Sequence, residues 1–175
     1  FDFNSDALSS DQVNAVEERV NSRIADDDPV SWQELPHEEV RDRADVMQFF
    51  GDKYGDLVRL VKIGGEPGVL DGYSMELCGG THLRNTGAIG RFKIKSEGAI
   101  SAGVRRIEAT CASAADAYIE ERIAILKEEA QSFSAKLDKA NSTLAQGALP
   151  TPVLDGDEAE IEPWLAWRDS LKATA

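Results

Sequence analysis

Cysteine and histidine are nearly missing from this chain: its 175 residues hold two of each. Cys78 and Cys111 are too few for a disulfide framework, which excludes a small stapled secreted fold and favours a reducing cytoplasmic compartment. A single Cys78–Cys111 bridge stays open on sequence alone. Long apolar runs are also absent, so no segment reaches membrane-spanning length, and the opening residues do not lead one to expect a secretory signal. The first residue is Phe1 rather than Met, so the chain is expected to be processed or a piece of something longer. Positive charge is scarce: 19 Lys and Arg stand against 32 Asp and Glu, a net charge of −13. Taken whole, that balance argues against a nucleic-acid surface. Phosphate-cradling glycine patterns are missing too, because Gly64-Gly65-Glu66-Pro67-Gly68 lacks the order of a dinucleotide or P-loop motif. What is present is enough apolar residue, 42% of the chain, to build a core, and this argues against a disordered acidic protein.

The charge is unevenly spread. Residues 1–56 carry 5 basic and 15 acidic side chains, residues 57–111 carry 8 and 5, and residues 112–175 carry 6 and 12. The middle stretch alone is basic, through Arg84, Arg91, Lys93, Lys95, Arg105 and Arg106, with Glu97 the one acid between Cys78 and Arg106. Local potential, not whole-chain charge, governs phosphate binding. Arg91, Lys93 and Lys95 alternate with Phe92 and Ile94, and so also fit the solvated face of a half-buried strand.

Hydrophobic spacing predicts an α+β fold. Phe1-Asp2-Phe3 reads as the end of a strand. Ser9 and Gln12 form a capping box ahead of Val13, Val16, Val20 and Ile24, which follow helical spacing. Asp26-Asp27-Asp28-Pro29 ends that helix, and its aspartates read as a solvated terminus rather than a cation site. Residues 30–35 form a short strand, Pro36 opens a second helix over about 38–50, and 52–56 turn. Strands are expected at 57–63, 73–77, 89–96 and 104–110, with loops at 64–72 and 98–103. Short turns between strands favour a largely antiparallel sheet with helices packed on one side. A long C-terminal helix follows, starting at the capping-box-like Ser113-Ala114-Ala115-Asp116 and running to about residue 146, where Gly147 ends it. Its apolar or small positions, Ile119, Ile123, Leu126, Ala130, Phe133, Leu137, Ala140 and Leu144, form a heptad seam. The seam either packs on its own domain or pairs with another helix, in this chain or a partner. Residues 148–157 make a linker, and 158–175 a further helical segment whose Trp164, Leu165 and Trp167 need a partner surface. The chain thus divides into 1–111, 112–147 and 148–175.

The stretch with most chemical content is Cys78-Gly79-Gly80-Thr81-His82, directly after a strand. A soft sulfur and an imidazole at this spacing can both reach one zinc ion, with the glycines letting the turn close. This is half a site, since zinc takes four ligands, or three and a water. Only His37, Cys111 and carboxylates remain to complete it. A semi-buried cysteine beside a turn histidine is the plain alternative.

Three separated strings add specificity: Met75-Glu76-Leu77-Cys78-Gly79-Gly80-Thr81-His82, then Asn85-Thr86-Gly87-Ala88-Ile89-Gly90, then Ser101-Ala102-Gly103-Val104-Arg105-Arg106-Ile107-Glu108-Ala109. In this order they closely resemble the editing domain of the alanyl-tRNA synthetases and, more distantly, the free-standing alanyl editing proteins. The resemblance runs from Phe1-Asp2-Phe3 through Phe49-Phe50-Gly51-Asp52-Lys53-Tyr54 to about Cys111. The surroundings of Cys-x3-His differ from those in the related threonyl enzymes.

The resemblance implies a proofreading domain that hydrolyses tRNA(Ala) charged wrongly with serine or glycine, errors that a single pocket rejects poorly. In that family zinc is held by a His-x3-His pair and a later Cys-x3-His pair. Carried over, Cys78 and His82 are the second pair of metal ligands. The first pair has no counterpart, and His37, alone after Pro36, reads as a surface residue. The chain is therefore expected to hold the second half of an editing domain plus part of a helical linker. By itself it is expected to lack deacylase activity. ATP binding and aminoacylation belong to other parts of such a parent. No catalytic residue is assigned; Thr81 offers a hydroxyl either to the substrate or to the turn. Arg84, Lys93, Arg105 and Arg106 are the candidates for contact with tRNA. Arg105 and Arg106 face opposite ways on a strand, so at most one reaches phosphate directly and the other pairs with an acid such as Glu108. Expected partners are the acceptor end of tRNA(Ala), the remainder of a synthetase chain and self-association through the seam helix, with no membrane. Two alternatives stand: a truncated free-standing editing protein, and a noncatalytic RNA-binding or dimerisation module in which Cys78 and His82 are structural.

Overall fold

The structure, a computed structural model, describes residues 1–49, 53–143 and 147–174. They divide into two compact units, Phe1–Ala112 and Ser113–Ala175. The first carries the α+β fold expected, with its antiparallel strands split between two three-stranded sheets rather than gathered in one. One sheet has the order β1-β6-β5, from β1 (Asp2–Phe3), β6 (Val104–Cys111) and β5 (Phe92–Ser101). The other has the order β2-β3-β4, from β2 (Val30–Pro36), β3 (Leu57–Ile63) and β4 (Ser74–Leu77). Strand β3, rich in Leu, Val and Ile, forms where residue type predicts and becomes the central strand. Val58 and Leu60 of β3 pack with Leu35, Met75, Leu77, Val40 and Val46 in the core of this sheet.

The second helix expected over 38–50 is not formed. A single 3-10 turn at His37–Glu39 replaces it, and the described chain beyond is irregular. Tertiary pairing overrides the local pattern. Met47 docks on the open edge of β4, its N–H donating to the Met75 carbonyl (2.9 Å) and its carbonyl accepting from Leu77 N–H (3.0 Å). The Gln48 amide donates to the carbonyls of Val40 (2.9 Å) and Arg41 (3.2 Å), groups that a helix would satisfy itself. Phe50, Gly51 and Asp52, within the expected helix end, turn and motif, lie outside the described residues.

Helix α1 (Ser10–Ala25) begins with the predicted capping box: Gln12 N–H donates to Ser9 Oγ (3.2 Å) and Ser9 N–H to Gln12 Oε1 (2.9 Å). Its inner face closes the free edge of β5. Asn21 exchanges two 2.9 Å hydrogen bonds with the Phe92 backbone, and Glu17 accepts from Ile94 N–H (2.8 Å) and from Lys93 Nζ (2.9 Å). Lys93 is consequently 7% exposed, not on the solvated face its alternation suggests. Strand β5 also starts later than expected. Residues Thr86–Ile89 form a 3-10 turn, and Gly90 reverses the chain at φ 70°, where a Cβ would lie 3.2 Å from Ala112 Cα. At its far end β5 runs to Ser101, and a two-residue turn at Ala102-Gly103 leads into β6, so most of the loop expected at 98–103 is strand. The arginines of β6 also find partners other than Glu108. Arg105 forms a two-pronged pair with Glu97, and Arg106 one with Asp2 at 2.6 and 2.8 Å.

In the second unit, α2 (Ala112–Thr143) and α3 (Ile161–Thr174) pack along the predicted seam. Ile119, Ile123 and Leu126 meet Ile161 and Trp164, while Ala130 and Leu137 meet Leu171. The seam's partner is therefore a helix of the same chain; Leu144 lies outside the described residues. Ser113 is inside α2 rather than at its cap: the helix starts at Ala112, at φ 51°, with Ala112 N–H donating to the Arg91 carbonyl (2.8 Å). The 148–157 linker is held by Trp167, whose indole N–H donates to the Pro152 carbonyl (2.8 Å), with Trp164 edge-on to Trp167 at 5.6 Å. Among the described residues no helix is long and apolar enough to cross a membrane.

Two outcomes follow from this packing. Leu171 is fully buried, and Leu171→Ala should cost the helical pair about 2–5 kcal/mol in urea unfolding. The Arg105 and Arg106 guanidiniums hold the carboxyls of Glu97 and Asp2 below their ordinary values. A carboxylate lowered in the folded state contributes stability above its unfolded pKa, about 4. That contribution is lost as pH falls through the folded value. The melting temperature should therefore drop below about pH 4, and Glu97→Gln should flatten part of that acid slope.

Candidate metal-binding turn

Strand β4 delivers Cys78 to the rim of the second sheet, and the chain then turns through two glycines. Cys78 is half-buried and His82 exposed, and their side chains converge, with His82 Nε2 3.2 Å from Cys78 Sγ. Tetrahedral zinc with Zn–S about 2.3 Å and Zn–N about 2.0–2.1 Å separates such atoms by about 3.5 Å. Small rotations of these two side chains reach that spacing, so the pair fits as two of four ligands. The glycines act differently from the expectation that they permit a tight turn. Neither Gly79 nor Gly80 has positive φ. A Cβ at Gly79 would meet nothing within 4 Å, and one at Gly80 only Cys78 Sγ at 3.5 Å. They leave the approach to the pair open instead of enabling a strained backbone.

The turn is anchored from outside. Cys78 N–H donates to the Arg59 carbonyl (3.1 Å), and Arg59 Nη1 donates to the Gly80 carbonyl (2.6 Å). On the exit side, Val30 N–H donates to the Arg84 carbonyl (2.8 Å). Thr86 follows, buried, its hydroxyl donating to the Arg23 carbonyl (2.8 Å) and accepting from Asp28 N–H (2.9 Å). Asp27 accepts from Gly87 N–H (3.1 Å) and from the Asn85 amide. The aspartates after α1 are thus not merely a solvated terminus. Asp27 and Asp28 tie the segment after His82 to the end of α1.

The other predicted residues are placed as follows. Thr81 and Arg84 are exposed in the turn and just beyond it, and Arg84 has no ion pair among the described residues. Lys93 and Arg105 are largely buried in ion pairs with Glu17 and Glu97, and Arg106 is half-exposed against Asp2. His37 is bonded through Nε2 to Gln48 Oε1 (3.0 Å), with its ring 5.1 Å from that of Tyr54. It lines a cavity of about 460 Å³ with Arg41, Tyr54 and Asp56. Cys111 is a free, exposed thiol at the end of β6. Among the described residues no three His, Cys, Asp or Glu side chains gather where they could share an ion, so neither His37 nor Cys111 joins the pair. Sequence reasoning missed Arg59, Thr86 and Asp28 as supports of the turn. Arg59 and Gly80 are 21 positions apart and Thr86 and Asp28 are 58, and no local signal links them.

The segment that carries the Cys-x3-His turn and most of the β-hairpin after it matches a known domain family. Residues 58–108 fit the family described as the threonyl and alanyl tRNA synthetase second additional domain. Beyond this segment, similarity extends over most of the chain. It is 48% identical over 159 residues to the alanine--tRNA ligase of Akkermansia muciniphila, covering 89% of this chain and 17% of that protein. It is 38% identical over 167 residues to the enzyme of Gluconobacter oxydans, covering 95% and 19%. With the enzyme of Thermoanaerobacter pseudethanolicus the identity is 45% over 138 residues, covering 78% and 15%. The chain is homologous to a segment of alanyl-tRNA synthetase and spans less than a fifth of the length of these relatives.

Thr86→Val should test the exit anchor. It removes both hydroxyl bonds and leaves a partly buried N–H and carbonyl unpaired, a loss of about 1–3 kcal/mol. Urea unfolding reads that loss, and Thr86→Ser should restore most of it.

Proposed function

We propose that this chain forms part of the editing site of an alanine--tRNA ligase, in which tRNA(Ala) mischarged with serine or glycine is hydrolysed, and that Cys78 and His82 are two ligands of its zinc ion. The observation that carries the reading is the convergence of Cys78 Sγ and His82 Nε2 at 3.2 Å, on an open turn inside the segment that matches the second additional domain. Cys78 binds as the thiolate and His82 through Nε2. When bound, zinc would supply Lewis-acid polarisation of a water or of the ester carbonyl. The remaining ligands come from outside the described residues, through the rest of the synthetase chain.

The open glycine flank leaves room for the aminoacyl end, with the Thr81 hydroxyl exposed beside His82. Of the basic candidates, Arg84 is the one best suited to tRNA phosphate, being exposed and without an ion pair among the described residues. Lys93, Arg105 and Arg106 would have to give up Glu17, Glu97 and Asp2 to bind phosphate, and their first role is to hold the sheet together. With two metal donors converging among the described residues, the 175-residue chain alone is expected to show no deacylation.

In a full-length parent enzyme, Cys78→Ala should lower seryl-tRNA(Ala) deacylation by more than about 100-fold, beyond the 10–100-fold cost of losing an outer-shell partner. Aminoacylation with alanine should be unchanged, and zinc content should fall. Unchanged deacylation would remove Cys78 from the site.

A further inference from the structure

The turn that brings Cys78 and His82 together has no conformational reason of its own to stay closed. Gly79 and Gly80 are the residues with most backbone freedom to lose, and around the place of a Cβ there is nothing within 4 Å at Gly79 and only Cys78 Sγ, at 3.5 Å, at Gly80. Next to them lies a side chain whose geometry has no purely structural account. Arg59 sits on central strand β3, opposite Glu34 of β2, yet its guanidinium makes no ion pair among the described residues. It stacks 4.8 Å from the centroid of the Trp32 ring and donates Nη1 to the Gly80 carbonyl at 2.6 Å. Its Nε is buried without a hydrogen-bond partner among the described residues. A buried unpaired N–H is destabilising, so the position is one that folding alone does not favour. Trp32 is itself 59% exposed and contributes little to a core where it lies. The backbone of the same arginine accepts from Cys78 N–H (3.1 Å). Arg59 thus holds the turn twice, at its first residue through its carbonyl and at its middle through its guanidinium.

We propose that Arg59, braced by Trp32, is a positioning residue that pre-organises the Cys78–His82 pair by fixing the Gly79-Gly80 backbone. It touches neither donor atom and acts through the Gly80 carbonyl. Stacking on Trp32 selects arginine, whose planar fork both lies flat on a ring and donates in its own plane. The inference concerns the turn; its consequence for metal affinity rests on the zinc reading above.

Backbone 15N relaxation on the 175-residue chain tests the turn without any metal. Arg59→Met should lower the order parameters of Gly79 to Leu83 from the rigid range, about 0.85, toward about 0.6. Those of β3 and β4 should stay as they are. Arg59→Lys, which can still reach the Gly80 carbonyl, should recover part of the loss. Trp32→Leu keeps the donor and removes the brace; it should loosen the same residues less, and it serves as the probe if Arg59→Met fails to fold. Order parameters unchanged in the turn, or lowered equally through β3 and β4, would overturn the proposal. Cobalt titration of the same variants adds the second readout. Arg59→Met should weaken by about tenfold any cobalt binding that shows thiolate-to-metal absorption and that Cys78→Ala abolishes. If the unaltered chain shows no such absorption, the metal reading loses support while the relaxation result still decides the role of Arg59.

Discussion

A three-stranded sheet has one interior strand and two edges, and the first unit of this protein is built from two such sheets. Unpaired edge N–H and C=O groups invite association with other chains unless they are covered. Most of the unit's unusual features answer that constraint. Asn21 and Glu17 of α1 complete the hydrogen bonds of Phe92 and Ile94 on the β5 edge. Met47 does the same for β4 with its own backbone. Covering β5 with a helix carboxylate buries Lys93, and covering β4 with an extended segment forbids the helix that residues 38–50 suggest. Because β4 is held between β3 and Met47, its last residue delivers Cys78 to a fixed point on the rim.

From that point the Cys78–His82 pair depends on supports spread across the unit. Strand β3 holds the entrance of the turn, α1 and the start of β2 hold its exit, and the glycines between contribute openness. Rigid elements therefore carry the anchors, while the residues with candidate chemistry sit on a short loop. Side chains on loops keep precise positions only when supporting hydrogen bonds fix them.

Charge is divided in a similar way. The basic middle of the chain reads as a tRNA-binding stripe in the sequence, yet in the fold much of it is neutralised internally. Glu97 and Asp2 meet the two arginines of β6, and Glu17 meets Lys93. These pairs join β1, β5, β6 and α1 to one another. Arg84, two residues past His82, remains exposed at the site itself.

The sequence by itself determined what depends on neighbours along the chain. The capping box at Ser9, the strand at Leu57–Ile63, the seam of α2 and the Cys-x3-His turn were all legible, because each rests on spacing of a few residues. The three motif strings sufficed to place the chain with the alanyl-tRNA synthetases. Tertiary structure alone decided the rest. It split the strands into two sheets, extended the β5–β6 hairpin, removed the helix after Pro36, gave the α2 seam a partner in α3, and brought Arg59 onto Gly80. Each of these depends on groups brought together from distant positions, such as Met47 with Met75, Asn21 with Phe92, or Leu171 with Leu137. Local propensity amounts to a few tenths of a kcal/mol per residue. A buried hydrogen bond or core contact is worth about a kcal/mol or more, so where the two conflicted, the distant partner won.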